Sequence, residues 1–368
     1  MGKRELLLIV AFVIIGAVVY QATAPPPAPG ERTFSLGGAI EALRRHVRGN
    51  RASAEVTTSS THPVDAGVTE LRVVLRSEVT VIGEDRQDIN AELKVHSNGF
   101  DDAEAHQLAK ETVLKIDRAG GRLIATVDYP EAGSQRARLL LKIPSRLMTA
   151  LESTSGRLEV TGVAGIDLLN TRGEAQVRKI AGRVTGSHRG GELIIADSGP
   201  VKVTTNGSDV QLERIRGEVT LNTRGGEVKA SELAGPVDID ANDTDLKLEN
   251  LEKTTGILRI NATGGSVSIK GIRTEARIDV RRADVDVVVD RAAPLAIYSE
   301  GGDSVDITPP AGGYQLDAVA SSATVTIADK AVPVVSSGQE QRATGAVNGG
   351  GPTITIRTGR GSITVRAR

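Results

Sequence analysis

Glycine returns at Gly165, Gly182, Gly199, Gly217 and Gly235, at intervals of 17, 17, 18 and 18 residues. A fixed period of this length marks an array of small units that become stable only by packing on their neighbours. The clearest unit, residues 218–235, reads EVTLNTRGGEVKASELAG. It contains an alternating apolar run, a glycine corner, a second alternating run and a short turn. One such unit buries too few aliphatic side chains to offset the entropy of ordering its own backbone, so its partners must be the units before and after it.

Aligning the units separates inside from outside. Val219, Leu221, Thr223, Val228, Ala230 and Leu233 are matched by Val201, Val203, Thr205, Val210, Leu212 and Ile215 in the preceding unit. The following unit supplies Val237, Ile239, Ala241, Leu246, Leu248 and Leu251 at the same places. Alternation with a period of two is that of a half-buried strand. Gly225-Gly226, Gly264-Gly265 and Asn206-Gly207 fall at the corner between the runs, where a positive φ is required. Two short strands per unit in a constant register describe a β-solenoid of about ten coils of 17–19 residues over 147–368, stacked at about 4.8 Å per coil. Aromatic residues make up only 2% of the chain and Trp is absent, which suits a narrow interior filled by aliphatic ladders.

The remaining segments read differently. Lys3 and Arg4 precede an apolar run over 6–20 that continues with small residues to Ala24, then Pro25, Pro26, Pro27 and Pro29. About 19 residues suffice to cross a bilayer, and the basic pair sets the orientation. We expect a cytoplasmic tail at 1–5, an uncleaved signal anchor at 6–24, with a cleaved signal peptide as the alternative, and a Pro-rich tether and linker at 25–67. The bulk of the chain then lies in the cell envelope, periplasmic or extracellular. Residues 36–48 have amphipathic helical spacing, and 50–67 read as loop. Residues 68–146 form an α+β segment that leads into the solenoid and caps it. Its strands fall at 71–75, 79–82, 89–95, 123–127 and 137–143, with a helix near 101–115 capped by Asp101 or Asp102. A polar, glycine-rich stretch at 329–351 reads as a mobile loop.

Composition narrows the function classes. The 45 basic and 46 acidic residues give a net charge of −1, so nothing favours nucleic acid. Cysteine is absent, which removes disulfide and thiolate chemistry. His46, His62, His96, His106 and His188 show no metal-ligand spacing; His106 falls in the expected helix and His188 at a surface corner. No nucleophile elbow, phosphate loop or dinucleotide fingerprint occurs. Asp238, Asp240, Asn242 and Glu249 follow a calcium-loop spacing. Asp243, however, stands where that loop needs glycine, and Val237 and Ile239 alternate as strand residues do. Asn206, Asn242 and Asn261 begin N-x-[ST] matches that repeated Asn/Gly/Thr corners produce by composition. Outward positions Lys202, Thr220, Asp238, Arg259 and Arg277 form one column of mixed charge, and Asp284 and Asp286 with Arg281 and Arg282 form the densest charged spot. No catalytic residue, cofactor site or metal site is assigned.

A strand-rich lead-in with one helix, a Leu-Lys-Ile-Pro element at 141–144 and repeats of the TxxGxV kind, clearest at 223–228, follow the apolar segment. In this the chain resembles the bacterial putative-adhesin domain family, head GIN domains among them, over about residues 68–368. The resemblance implies a right-handed parallel β-helix and brings no catalytic residues with it. The expected function is a non-catalytic, membrane-anchored envelope module that binds a polymer or protein or acts as a spacer. Two alternatives are a self-assembling envelope scaffold and a polysaccharide-active β-helix enzyme. The latter needs convergent carboxylates and sugar-stacking aromatics on one face.

Overall fold

The computed structural model describes residues 52–131, 134–153, 155–329 and 331–368. The anchor expected at 6–24, most of the tether and the amphipathic stretch at 36–48 lie outside these residues. Among the described residues no helix is long and apolar enough to cross a membrane. The described chain falls into two compact units. The smaller takes in 52–56, 95–112 and the described part of 129–136; the larger takes in 57–94, 113–128 and the described part of 137–368.

The smaller unit holds helix α1, Asp102–Glu111. Asp101 caps it, its carboxylate accepting from the Glu104 amide at 2.8 Å, while the Glu104 carboxylate accepts from the Phe100 amide at 2.6 Å. The first satisfies an amide that the helix itself leaves unpaired, and the second pins the residue just before the cap. Ala105, Leu108 and Ala109 form the buried stripe. The helix stops at Thr112, whose hydroxyl donates to the Leu108 carbonyl at 3.0 Å. The helical spacing runs on to 115. Instead Val113–Ala119 is a strand, paired antiparallel with Arg122–Asp128, because ladder pairing outweighs the local helical pattern there. The loop expected at 50–67 likewise contains a strand, Ala52–Pro63. Its Ser and Thr residues look loop-like by polarity but suit a strand by shape.

Two parallel ladders build the larger unit, and together they make it solenoid-like. In the first, Val201–Glu213 lends its first half and is followed by Val219–Arg224, Val237–Asn242, Leu258–Thr263, Ala276–Arg281 and Leu295–Glu300. In the second, the other half of Val201–Glu213 is followed by Glu227–Ser231, Asp245–Glu249, Ser266–Ile272, Asp284–Val289 and Ser304–Thr308. Along the first ladder register is kept residue by residue, and the second shifts once, between Lys270 and Ile272. Val203, Leu221, Ile239, Ile260, Ile278 and Ile297 are successive Cα partners and all are buried. The inward column read from the repeat therefore exists in space. The outward column also holds: Lys202, Thr220, Asp238, Arg259 and Arg277 are successive partners.

The ladders do not follow chain order at their ends. Glu70–Leu75 lies between Met148–Ser153 and Arg122–Asp128, so these strands of the lead-in are part of the stack. Glu78–Glu84 is held in the same way between Arg157–Thr161 and Ser134–Pro144. At the far end Thr353–Thr358 is inserted between Leu295–Glu300 and Tyr314–Ser321. Ser362–Val365 is likewise inserted between Ser304–Thr308 and Val325–Ile327. The stretch 329–351, expected as a loop, contains strands Val334–Ser337 and Glu340–Val347. Glu340–Val347 pairs antiparallel along Tyr314–Ser321, much as Val113–Ala119 lies along Arg122–Asp128. Polar, glycine-rich composition disguises a hairpin whose work is to satisfy the outermost strand.

The glycine corners confirm their role. Gly207 (φ +62°) has open space where a Cβ would stand, whereas a Cβ on Gly226 (φ +86°) would run into the Ser208 carbonyl of the neighbouring lap. Gly207→Ala should therefore cost about 1 kcal/mol, the backbone penalty alone. Gly226→Ala should cost clearly more, because the laps must also separate. Urea unfolding of the two variants checks this, and equal losses would contradict the close approach.

Candidate binding groove

Each first-ladder strand ends, just before its corner, with an outward, an inward and an outward residue; the corner is glycine on most laps and Asp243 or Arg282, both in the left-handed region, on two of them. Stacking turns these triplets into three columns, and the columns line a groove of about 1250 Å³. It runs across nine strand positions, from Asn170–Arg172 to Arg357–Gly359. Eight steps at the parallel-strand spacing make it about 38 Å long.

The first outward column presents Ser187, Thr204, Asn222, Asp240, Asn261 and Asp279, followed by Tyr298. These are hydroxyl, amide and carboxylate groups in register. Asn261 donates to Asp240 at 2.8 Å, and Ser187 donates to Asn170 at 3.3 Å. Tyr298 is one of the few exposed large apolar side chains, with Arg277 5.0 Å from its ring centre. Arg277 also donates to Asp279 at 2.7 Å, so ring and carboxylate hold one guanidinium between them. The inward column is Thr171, His188, Thr205, Thr223, Ala241, Ala262, Val280, Ser299 and Thr358. Apart from His188 its members are small, and Thr205 donates to Thr223 at 2.9 Å. The second outward column starts with Arg172, Arg189, Asn206 and Arg224.

His188 corrects the expectation of a surface histidine. It is 2% exposed, and its Nδ1 lies 3.0 Å from the Thr171 hydroxyl. It takes an inward place because the register aligns it with Thr171 and Thr205. Burial holds its pKa below the usual imidazole range, opposed only in part by the backbone of Gly173 and Gly190. His106 stays on α1, 3.2 Å from the Asp102 carbonyl, and His62 sits 3.1 Å from the Ser60 hydroxyl.

The calcium-loop spacing does not become a calcium loop. Asp238, Asp240 and Asn242 are alternate residues of the strand Val237–Asn242, and Asp243 takes a left-handed turn (φ 50°). Glu249 belongs to the second ladder, where Lys270 at 3.2 Å and Lys247 at 3.5 Å hold its carboxylate below the usual range. Among the described residues no three His, Asp or Glu side chains converge as a metal site would need. The charged spot at 281–286 also disperses. Asp284 accepts from the amides of Asp303 and Ser304, both at 3.0 Å, Asp286 faces Arg366 at 3.4 Å, and Arg281 faces Glu300 at 3.4 Å.

The residues that matter most here do not stand out in the sequence. Arg172, Arg189, Arg224 and Tyr298 each look like ordinary surface residues until their columns are aligned. The signal is present all the same: the alignment that identifies inward positions also orders the outward ones. Asn206, Asn242 and Asn261, notable in the sequence only for their N-x-[ST] context, all line the groove.

Parallel ladders, glycine corners and an open polar groove define a solenoid-like β protein. The chain belongs to the Toastrack DUF4097 family, whose pattern matches residues 69–366. That stretch includes the lead-in and the inserted C-terminal lap, and it agrees with the resemblance carried by 68–368. No curated protein matches the chain. Among solved structures, a "putative adhesin" from Parabacteroides merdae shares 10% identity over 69% of this chain and 96% of its own, with a TM-score of 0.41. Another from Parabacteroides distasonis shares 12% over 69% and 97%, with a TM-score of 0.39. A "putative cell adhesion protein" from Clostridium sporogenes shares 9% over 85% and 100%, with a TM-score of 0.19.

The state of His188 yields a pH prediction. Its folded pKa lies below the unfolded value near 6.5, so its contribution to stability is complete above that value. As the pH falls, unfolding takes up a proton that the folded state resists, and the contribution is lost. The urea midpoint of the protein should drop between pH 7.5 and 5.5. His188→Thr, which extends the threonine column, should flatten that drop. An unchanged pH profile in the variant would show that His188 protonates freely in the fold.

Proposed function

We propose that this chain is a non-catalytic, membrane-tethered envelope module that binds an extended polymer along the first-ladder groove. The observation that carries this reading is the groove itself: about 1250 Å³, open along its length and lined by in-register hydroxyl, amide and charged groups. A site repeating at each strand step suits a ligand that also repeats, and many modest contacts then act together. The apolar segment at 6–24 behind Lys3 and Arg4 supports the tether and an outward placement of the folded part. Membership of a family of adhesin-like domains is consistent with binding, and right-handed winding is our reading from that resemblance.

Antiparallel strands lie along both outermost first-ladder strands, which favours a discrete module over a scaffold growing by edge pairing. Along the groove the carboxylates are engaged: Asp279 with Arg277, Asp240 with Asn261, Glu300 with Arg281. That arrangement favours holding a ligand over protonating one.

Asn222 is exposed at the middle of the groove. Asn222→Trp should fill the groove without disturbing the buried column beneath it. The full-length chain, screened against envelope polysaccharides by biolayer interferometry, should bind at least one. The tryptophan variant should bind the same polymer about tenfold more weakly or worse, with unchanged unfolding. Binding untouched by the substitution would place the site elsewhere.

A further inference from the structure

We propose that the Arg172, Arg189 and Arg224 edge of the groove is a polyanion site and that the polymer it selects is an acidic polysaccharide. This deepens the groove reading and rests on it. Over the four strand positions from Asn170–Arg172 to Asn222–Arg224 the lining contains three arginines and no carboxylate. Arg172 and Arg189 are direct Cα partners on adjacent parallel strands, about 4.8 Å apart. Like charges so placed repel each other, and the fold gains nothing from the pair. Among the described residues no carboxylate forms an ion pair with any of the three. At other places neighbouring laps do answer an arginine with an acid, as Arg214 with Asp197 at 2.7 Å and Arg157 with Glu174 at 2.8 Å. The same is true of the other half of the groove, where Arg281 faces Glu300 and Arg357 is bound to Asp317.

Three guanidinium groups left in water at one edge are recognition groups for oxyanions, carboxylate and sulfate alike. Arg189 and Arg224 lie two strand steps apart, about 10 Å, with Asn206 between them. An extended chain carrying acidic groups at intervals can meet both. Beside the arginines run Ser187, Thr204 and Asn222, a row of donors and acceptors matched to sugar hydroxyls. A single-stranded nucleic acid would want a series of aromatic platforms, and Tyr298 stands alone at the other half of the groove. A membrane surface would want apolar side chains around the arginines, and the lining there has none.

The test uses the full-length chain in mild detergent with three probes: polygalacturonate, neutral dextran and single-stranded DNA. Polygalacturonate should bind about tenfold or more tightly than dextran at low salt, and added salt should erode that margin. Arg172→Ser with Arg189→Ser should abolish the margin while leaving the unfolding curve in place. Asn222→Trp serves as the second variant. Should dextran bind as well as polygalacturonate, with loss only in the tryptophan variant, the groove reading stands and the polyanion inference falls. Polygalacturonate binding unaffected by the arginine pair also overturns the inference. DNA binding tenfold tighter than polygalacturonate overturns the choice of polysaccharide. Failure to bind polygalacturonate overturns the inference, while the groove reading falls only if the envelope polysaccharides also fail to bind.

Discussion

On each lap the side chain at the place of Leu221 rests against its counterparts above and below: Val203 on one side, Ile239 on the other. This contact joins the sequence to everything else. The column stays apolar and of nearly constant width because a large ring on one lap would need a gap on the next. Parallel backbone pairing fixes the lap spacing, and inward alternation fixes the register, since a slip of one residue would turn every aliphatic side chain out to water. The groove follows as a consequence. Once Leu221 and its counterparts are in register, the residues one, two and three places further on are in register too. They form the three columns of the groove, and the two outward columns have no packing of their own to specify them.

Surface charge plays a secondary part. Cross-lap pairs such as Asp197 with Arg214 and Glu249 with Lys270 are substantially exposed, and solvent screening leaves pairs of that kind little to contribute to stability. They favour the correct neighbour more than they hold the stack together. Asp317 is better placed. It binds Arg357 on the inserted strand and faces Arg342 on the covering hairpin at 3.3 Å, so one carboxylate ties three strands at the far end. Both arginines and the Thr344 hydroxyl hold its pKa below the usual carboxylate range. The insertion of one lap between two others at each end is the larger constraint, because an inserted lap has neighbours on both sides and cannot peel away alone.

Much of the stack is legible in the amino-acid sequence. Period, corners and alternation place Val203, Leu221 and Ile239 in one column and Lys202, Thr220 and Asp238 in another, and both columns exist. The lap order at the ends is not legible, because nothing in residues 353–365 announces that they slide in ahead of 314–327. Strand exchange depends on which edge is vacant, and that is a property of the assembled stack. Composition hides the hairpin at 334–347, since a covering strand needs backbone groups more than apolar side chains. His188 escapes the repeat pattern for a related reason: it follows a shift in pairing between Leu168 and Thr171, and only the paired register reveals which way it faces. The groove arginines are visible as letters, but their lack of partners is a fact of three dimensions.

The absence of cysteine makes the central claim directly measurable, since two introduced cysteines carry two spin labels and nothing else reacts. Lys229, Lys247, Ser268, Asp286, Asp306, Thr364 and Thr326 are successive partners along the second ladder. Electron–electron double resonance from a label at Lys229 should give narrow distributions centred, at the backbone, about 24 Å away for Thr364 and about 29 Å away for Thr326. The residue farther along the chain must be the nearer in space by one strand step. Broad distributions, or Thr326 closer to Lys229 than Thr364 is, would contradict both the register and the inserted lap.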